Sequence, residues 1–337
     1  MLNNIRLKGF KSFVNEDIEL KPLTLLTGLN SSGKSSVIQA IRMMNNVQHS
    51  KIPLLEGYGG FEELHSSFSR EDMIIELRSD IYSSLLIHAK DATAYEVEKK
   101  IPDSLFKDVT YVGADRFGSQ PSMPLSLDRV FIGPKGENIL SVLDYYSTQG
   151  ISLDEKLKPE NAEGLTFDYV VNGWLQYISP KVKFDYKVNR KTDNSYSLFN
   201  DYRATNVGFG LSYTLPIIVA LLASTIKKGS VILIENPEAH LHPKGQTEMA
   251  KLIAKCVECG SQVIVETHSD HLFDGIRIFT KNNPGFNNNV ITHWFELDDF
   301  NQTNVKSIIF DENGNYTEFC PQGFFDQFEI NAEQLLF

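Results

Sequence analysis

The sequence predicts an α/β fold with a mainly parallel sheet that helices cover on both faces. One observation is a short apolar run, a glycine-rich loop and a helical pattern over residues 22–47. A second is the continuous apolar strand Val231–Ile234. The third is a helical pattern at Glu248–Val257 that leads into another buried strand at Gln262–Val265. Strands that alternate with helices in this way imply parallel neighbours.

Length and composition are those of a soluble globular protein. The 337 residues are 42% hydrophobic and 22% charged, enough for one large domain or two closely associated ones. The formal net charge is −11, which excludes coating of nucleic acid by bulk positive charge. Any contact with DNA therefore needs a local basic patch or a partner.

No segment predicts export or a membrane span. The first residues lack the apolar core of a signal peptide, and the longest apolar run, Leu215–Ala223, is too short to cross a bilayer. We therefore expect a cytoplasmic protein with no membrane partner. Cys256 and Cys259 form a CxxC inside a helical pattern, and Cys320 does not complete a zinc site, so we interpret the thiols as structural.

The N-terminal part predicts short strands around one helix. Strands are expected within Leu2–Phe13, at Ile18–Leu20 and at Leu23–Thr27, and a helix from Lys34 to about Val47. Residues 51–70 form a loop region rich in glycine and serine, followed by strands at Met73–Leu77 and Ile81–Ala89. We expect these strands to form an N-terminal antiparallel layer.

The middle, roughly residues 91–205, shows weaker patterns and is expected to be an insertion. Helical spacing occurs at Glu137–Tyr146 and around Trp174, and alternation occurs at Lys181–Val188. After it, a helix is expected to open at Gly208–Ser212, with Ser212 as its N-cap and Pro216 in its first turn.

The stretch Gly28–Ser35 matches the phosphate-loop pattern of a glycine, four residues and Gly-Lys-Ser. Its glycines allow a tight turn, and the amides of a helix N-terminus attract phosphate oxygens. Lys34 would reach the β- and γ-phosphates, and the Ser35 hydroxyl would ligate Mg²⁺. The alternative is a chance glycine-rich turn. The predicted nucleotide-binding residues here are Gly28, Leu29, Asn30, Ser31, Ser32, Gly33, Lys34, Ser35 and Ser36.

Two carboxylates follow the apolar strand Val231–Ile234. Glu235 and Glu238 lie at its C-terminal end, where open α/β sheets bind ligands. Glu235 is placed for the Mg²⁺ shell and Glu238 for activating water, so the pair divides metal and base roles. The alternative is a strand end with solvated acids.

A histidine follows the next buried strand. His268, in Val263–Ser269, could hydrogen-bond a γ-phosphate and sense its loss. For a lone histidine a structural role is the default. The phosphate loop and the acid pair favour the functional role.

Four segments in this order resemble the ABC-type ATPase heads of the SMC, RecF and OLD group. They are GLNSSGKSS, GFGLS, ILIENPEAHLHP and VIVETHS. The resemblance is closest to stand-alone prokaryotic AAA-type ATPases, which also carry a YVGADR-like stretch and a small C-terminal domain with a PQGFFDQ-like ending, here Pro321–Gln327. The implied fold is an ABC-type P-loop NTPase head with a mainly parallel sheet flanked by helices, an N-terminal antiparallel layer and a middle insertion.

The resemblance also implies roles for single residues. Gly208, Gly210 and Ser212 would contact the γ-phosphate of a nucleotide held by another subunit, and His242 would lie on the D-loop at the dimer seam. Glu235 would act through Mg²⁺, Glu238 as the base and His268 as the switch. Lys34 completes the predicted catalytic set.

Three departures from the family pattern stand out. The signature is GFGLS rather than LSGGQ, the usual Walker B aspartate is Glu235, and no glutamine fills the Q-loop, for which His65 is a weak candidate. Arg116 and Arg203 are equally compatible with phosphate contacts and with surface ion pairs.

The expected domains are an N-terminal lobe at 1–100, a middle insertion at 101–205, a C-terminal lobe at 206–289 and a small β/aromatic segment at 290–337. The resemblance implies an ATPase that binds ATP and Mg²⁺ and dimerises around ATP. We expect a homodimer or higher homo-oligomer that regulates a separately encoded effector, such as a nuclease or toxin, in phage defence or genome maintenance.

Two other functions stay open. A RecF-like DNA-binding ATPase would draw on Lys181, Lys183, Lys187, Arg190 and Lys191, although a solvated strand face is the favoured explanation of these cations in so acidic a chain. A small-molecule phosphotransferase would not need Gly208–Ser212.

Overall fold

The computed structural model describes residues 1–79, 84–91, 94–100, 109–317, 320–321 and 323–336. The start of the strand expected at Ile81–Ala89, together with Phe319 and Gln322 of the expected C-terminal segment, lies outside these ranges. The chain forms two compact units. The first contains Met1–Val109 and Thr280–Phe337, and the second contains Thr110–Phe279.

The described strands and helices follow in chain order. The strands are β1 (Asn4–Phe10), β2 (Phe13–Glu19), β3 (Leu23–Gly28), β4 (Met73–Arg78), β5 (Ser84–Ala89), β6 (Tyr95–Lys100), β7 (Val109–Val112), β8 (Met123–Pro124), β9 (Phe184–Asn189), β10 (Asn194–Phe199), β11 (Tyr202–Arg203), β12 (Val231–Glu235), β13 (Gln262–Glu266), β14 (Val290–Leu297) and β15 (Thr303–Ile308). The α-helices are α1 (Lys34–Gln48), α2 (Phe61–Leu64), α3 (Ile139–Thr148), α4 (Phe167–Ile178), α5 (Phe209–Ile226), α6 (Pro243–Glu258), α7 (Asp270–Asn282) and α8 (Gln327–Leu336).

An antiparallel sheet in the first unit has the strand order β2-β1-β4-β5-β6. Buried and half-buried residues alternate along β4 and β5, because successive side chains of a strand point to opposite faces. This sheet confirms the expected N-terminal antiparallel layer.

The same unit contains β3, every residue of which is buried. β14 pairs with β3 in parallel, with Gly28 opposite Phe295, and β15 pairs with β14 in antiparallel. The strand that leads into the phosphate loop is therefore flanked by a strand from the C-terminal part of the chain.

One buried histidine joins these strands. His293 Nε2 lies 2.7 Å from the Glu19 carbonyl oxygen, which can only accept, so Nε2 carries the proton and Nδ1 faces the Ser307 hydroxyl at 3.1 Å. Burial lowers the pKa of His293 from 6.5 to about 4. The ring is therefore neutral at ordinary pH.

In the second unit β12 and β13 run parallel, with Glu235 opposite Glu266, and β7 lies at the other side of β12. Helices α3, α4, α5 and α6 pack against one another in this unit. A small antiparallel sheet contains β11, β10 and β8, with β9 paired to β10.

Helix α5 confirms the helix expected to open at Gly208–Ser212, and it contains the apolar run Leu215–Ala223. Its 18 residues are long and apolar enough to cross a membrane by length and composition. Most of them are buried against the rest of the second unit, among them Ile217, Ile218 and Leu221, which is the behaviour of a core helix.

The start of α5 also differs from the prediction. Gly208 is the N-cap, in extended conformation, and Ser212 already lies inside the helix. Pro216 is an interior residue and not part of the first turn. Burial of the flanking residues outweighs the cost of about 3 kcal/mol for an interior proline.

Candidate functional site

The phosphate loop of the first unit has a backbone that requires glycine at both ends. Gly28 has φ +134° and Gly33 has φ +106°, and Ser31 between them is also left-handed at +63°. A Cβ atom on Gly28 would lie 2.1 Å from the Phe295 carbonyl oxygen of β14. No side chain fits there, so the close approach of β14 fixes glycine at the end of β3.

Lys34 begins α1 and turns back over the loop. It is 3% exposed, and its ammonium donates to the carbonyl oxygens of Gly28 at 3.1 Å and Leu29 at 2.6 Å. Ser35 is exposed on the first turn, Ser36 is buried, and Leu29, Asn30 and Ser31 are exposed at the loop tip. The first turn of α1, which is described in full, carries no acidic residue. This leaves the positive end of the helix suited to phosphate.

The C-terminal strands of this unit hold the loop in place. The Thr303 hydroxyl at the start of β15 donates to the Ser32 carbonyl at 3.0 Å and pairs with the Ser12 hydroxyl at 2.6 Å. The Leu29 amide donates to the Phe295 carbonyl at 3.3 Å. The motif alone gave no signal for these contacts.

In the second unit the ends of β12 and β13 carry the predicted acids and histidine. After Glu235 the chain turns through Asn236, which is left-handed at φ +46° and whose amide donates to the Glu266 carbonyl at 2.8 Å. This turn directs Glu238 towards the end of β13, where its Oε1 accepts the His268 amide at 2.8 Å. The structure thus brings Glu238 and the backbone of His268 together, while the imidazole is exposed.

The carboxyl group of Glu238 is largely buried, and burial raises its pKa. The His268 amide, the Thr267 hydroxyl and the Arg116 charge counteract this rise in part. No hydrogen bond of ordinary geometry reaches the buried Oε2 from the described residues. The carboxyl group of Glu238 therefore takes up and releases its proton at a higher pH than that of an ordinary glutamate.

Arg116 is not a surface residue, so its interpretation as a surface ion pair is wrong. It is 2% exposed, and its guanidinium donates to the backbone oxygens of Gly113 at 2.6 Å, Glu235 at 2.7 Å and Asn236 at 2.8 Å. Burial lowers its pKa, and the nearby carboxylates of Glu238 and Glu235 oppose that shift. Arg203, by contrast, is exposed.

The segment predicted to face another subunit's nucleotide opens α5. Phe209 is 57% exposed, Gly208 and its extended backbone precede it, and the Ser212 hydroxyl lies 3.1 Å from that of Ser119. A Cβ on Gly210 would lie 2.8 Å from the His240 carbonyl oxygen. His242 caps α6 by accepting the Lys244 amide at 3.3 Å.

Each unit offers an oxygen donor of a kind that magnesium accepts at nucleotide sites. Ser35 offers an exposed hydroxyl, and Glu235 offers a carboxylate whose Oε2 is oriented by the Ala114 amide at 3.1 Å. No group of three or more His, Cys, Asp or Glu side chains suited to a metal occurs in the described part of the chain. Mg²⁺ at nucleotide sites needs only one or two protein ligands, because phosphates and water supply the rest.

Comparisons with known structures give the fold. The chain resembles an SMC head bound to the C-winged helix domain of ScpA, with a TM-score of 0.56, 14% identity and coverage of 93% of this chain and 98% of that one. It also resembles the Pyrococcus furiosus SMC head with an extended coiled coil bound to the C-terminal domain of ScpA, with a TM-score of 0.54, 14% identity and coverage of 100% and 99%. The fold is therefore the α/β fold of SMC heads.

The search of curated proteins found no significant match. A family model does match, that of the AAA ATPase domain, over residues 1–87 and 119–273. These ranges include the phosphate loop, the start of α5, both acids and His268, and they span more than half of the chain. The chain belongs to the AAA ATPase domain family.

Proposed function

We propose that this protein is an ATP hydrolase that dimerises around ATP and regulates a separate effector protein. The observation that carries hydrolysis is the bond between Glu238 Oε1 and the His268 amide, which fixes a largely buried carboxyl with a raised pKa beside the histidine motif. In this proposal residues 1–100 and 206–289 form the two lobes of the head, 101–205 the insertion and 290–337 the small C-terminal segment.

The phosphate loop binds the triphosphate. Amides of the loop and of the first turn of α1 donate to phosphate oxygens, and Lys34 moves from the carbonyls of Gly28 and Leu29 to the β- and γ-phosphates. Ser35 and Glu235 are the residues that would hold Mg²⁺, and the ion would supply charge neutralisation for the transferred phosphoryl group.

Glu238 acts as the general base in this mechanism. Its ionised form takes a proton from the attacking water, while the exposed imidazole of His268 hydrogen-bonds the γ-phosphate. The buried position of Glu238 supports this role, because burial raises the pKa of its carboxyl group and so makes the ionised form a stronger base.

One subunit does not complete the site in this proposal. Gly208, Gly210 and Ser212 reach the γ-phosphate bound by a second copy, so that two nucleotides join two protomers. Hydrolysis removes the charge that holds the copies together. ATP is then a reversible clamp.

We propose a cytoplasmic effector partner, such as a nuclease or toxin, in phage defence or genome maintenance. The SMC heads of similar fold are bound to domains of ScpA, which supports a partner protein for this chain too. The gene next to this one gives the first candidate, and co-purification after joint expression tests it.

ATP hydrolysis is tested with two substitutions. We expect Lys34→Ala to lose ATP binding and Glu238→Gln to retain it while kcat falls about 10²–10⁴-fold, as for loss of a general base. Phosphate release and titration with a fluorescent ATP analogue measure the two effects. Wild-type turnover by Glu238→Gln would contradict the assignment.

Direct DNA binding is the second candidate. Lys181, Lys183 and Lys187 are exposed beside or on β9, but Lys187 pairs with Asp185 at 2.8 Å and Arg190 with Asp144 at 2.6 Å. These ion pairs reduce the charge available for phosphates. ATP-stimulated, salt-dependent DNA retention would favour this candidate, and full turnover by a monomer would favour a phosphotransferase instead.

A further inference from the structure

In the second unit, Arg116 connects two segments to which the proposed function gives different duties. One is the start of α5, which faces another subunit's nucleotide. The other is the acid loop, defined as residues 235–240, which carries the protomer's own base. We propose that Arg116 is a positioning residue that couples these two segments, so that contact at α5 sets the placement of Glu238; this inference rests on the proposed function.

The first part of the connection is a set of hydrogen bonds from the Arg116 guanidinium to backbone carbonyls. The guanidinium of Arg116 donates to Glu235 O and Asn236 O, and so spans the turn that directs Glu238. It also donates to Gly113 O in the segment after β7. The planar fork of arginine reaches these three carbonyls in a fixed geometry, whereas a lysine ammonium is a compact donor on a flexible stem.

The second part is a contact with α5. The Arg116 guanidinium carbon lies 5.3 Å from the ring centroid of Tyr213, one turn beyond Phe209. The same Tyr213 ring meets the His240 ring edge to face, with centroids 4.8 Å apart and planes at 73°. The Tyr213 ring therefore contacts both the Arg116 guanidinium and His240, the last residue of the acid loop.

The third part is a close backbone approach. The Cβ that Gly210 lacks would lie 2.8 Å from His240 O, and the Phe209 and His240 rings are 6.4 Å apart. Packed interfaces of this kind do not slide freely, so a displacement of α5 moves the acid loop with it. A small displacement of the acid loop is enough to change the rate, since a misplacement of a reacting group by about 1 Å can lower the rate about 10²-fold.

The experiment separates placement from nucleotide binding. Tyr213→Leu removes the aromatic face and Tyr213→Phe keeps it, so we expect kcat to fall about tenfold in the leucine variant and to stay within about twofold in the phenylalanine variant. Arg116→Lys keeps the charge but not the fork, and its kcat should fall as well. Titration with the fluorescent ATP analogue should give unchanged affinity in all three.

Two controls keep the test decisive. If Tyr213→Leu does not fold, His240→Asn replaces it, because His240 is exposed and asparagine tolerates its φ of +63°. A lower kcat at unchanged affinity in Tyr213→Leu (or His240→Asn) and in Arg116→Lys supports the coupling, and wild-type kcat in those variants overturns it. Absence of turnover by the wild-type protein would contradict the proposed function itself, which distinguishes the two failures.

Discussion

At the scale of single residues, the carboxyl group of Glu238 determines how the rate should depend on pH. Burial raises its pKa above the ordinary 4.5. A base works only when deprotonated, so we expect kcat at saturating ATP to rise with pH through a midpoint above 4.5. Phosphate release at constant ionic strength measures it. A midpoint at or below 4.5, with the protein still folded, would contradict the assignment.

His293 predicts a separate pH effect on stability. Its pKa is about 4 in the folded protein and 6.5 in the unfolded chain, so the unfolded chain takes up the proton first as pH falls. The stabilisation is complete above pH 6.5 and declines between 6.5 and about 4, by about 3 kcal/mol in total.

Chemical unfolding at a series of pH values measures this decline. His293→Gln keeps an amide donor near Glu19 O but does not titrate, so the slope over this range should become shallower. An identical slope in both proteins would assign the pH dependence to other groups.

The sequence alone located the motifs of the candidate site and named Arg116, but it did not predict that Arg116 is buried. Phosphate loops and strand-end acids have fixed local spacing, whereas the position of Arg116 depends on carbonyls of Glu235 and Asn236, 119 and 120 positions further along the chain. A charged side chain is by default exposed, so nothing local indicated burial.

At the scale of elements, β15 supports the phosphate loop through Thr303. Thr303→Val preserves the shape of the side chain but removes the donor to Ser32 O, which leaves that carbonyl without this bond at a cost of about 1–3 kcal/mol. We expect weaker ATP binding and a lower Tm.

Thr303→Ser is the matched control, because it keeps the hydroxyl and loses only a methyl group. Calorimetric titration and thermal unfolding of the three proteins measure the difference. Equal affinity in the valine and serine variants would show that this hydroxyl does not hold the loop.

The strongly apolar elements were predicted well and the mixed ones were not. β12 and β13 are confirmed with nearly the expected bounds, because continuous apolar runs predict buried strands. β10 gave no signal, since two of its buried residues are serines, Ser195 and Ser197. The predicted N-cap of α5 was wrong because cap preference favours serine, whereas Gly208 supplies only the backbone.

At the scale of the whole molecule, the proposed dimer around ATP predicts that the molecular mass in solution depends on ATP. We expect Glu238→Gln to form dimers with ATP and Mg²⁺, because hydrolysis no longer releases the partner, and to be monomeric without nucleotide. Light scattering after size exclusion measures the mass. The double variant with Gly208→Arg should stay monomeric, since Gly208 is exposed with open space around it, so that an added side chain there blocks the start of α5. A monomer in every sample would count against the clamp.

Pairings between distant segments explain why the sequence could not supply the full architecture. β14 pairs with β3, and β15 with β14, although these segments lie at opposite ends of the chain. Periodicity shows that a strand exists but not which strand lies beside it.

This arrangement has a consequence for biosynthesis. A nascent chain that has emerged only as far as His268 already contains every motif of the ATPase, yet Phe295 and Thr303, which hold residues 28–33, are still inside the ribosome or not yet made. We therefore expect the growing polypeptide to bind ATP only after β14 and β15 have been made and have packed against residues 28–33, although every motif of the site precedes them in the chain.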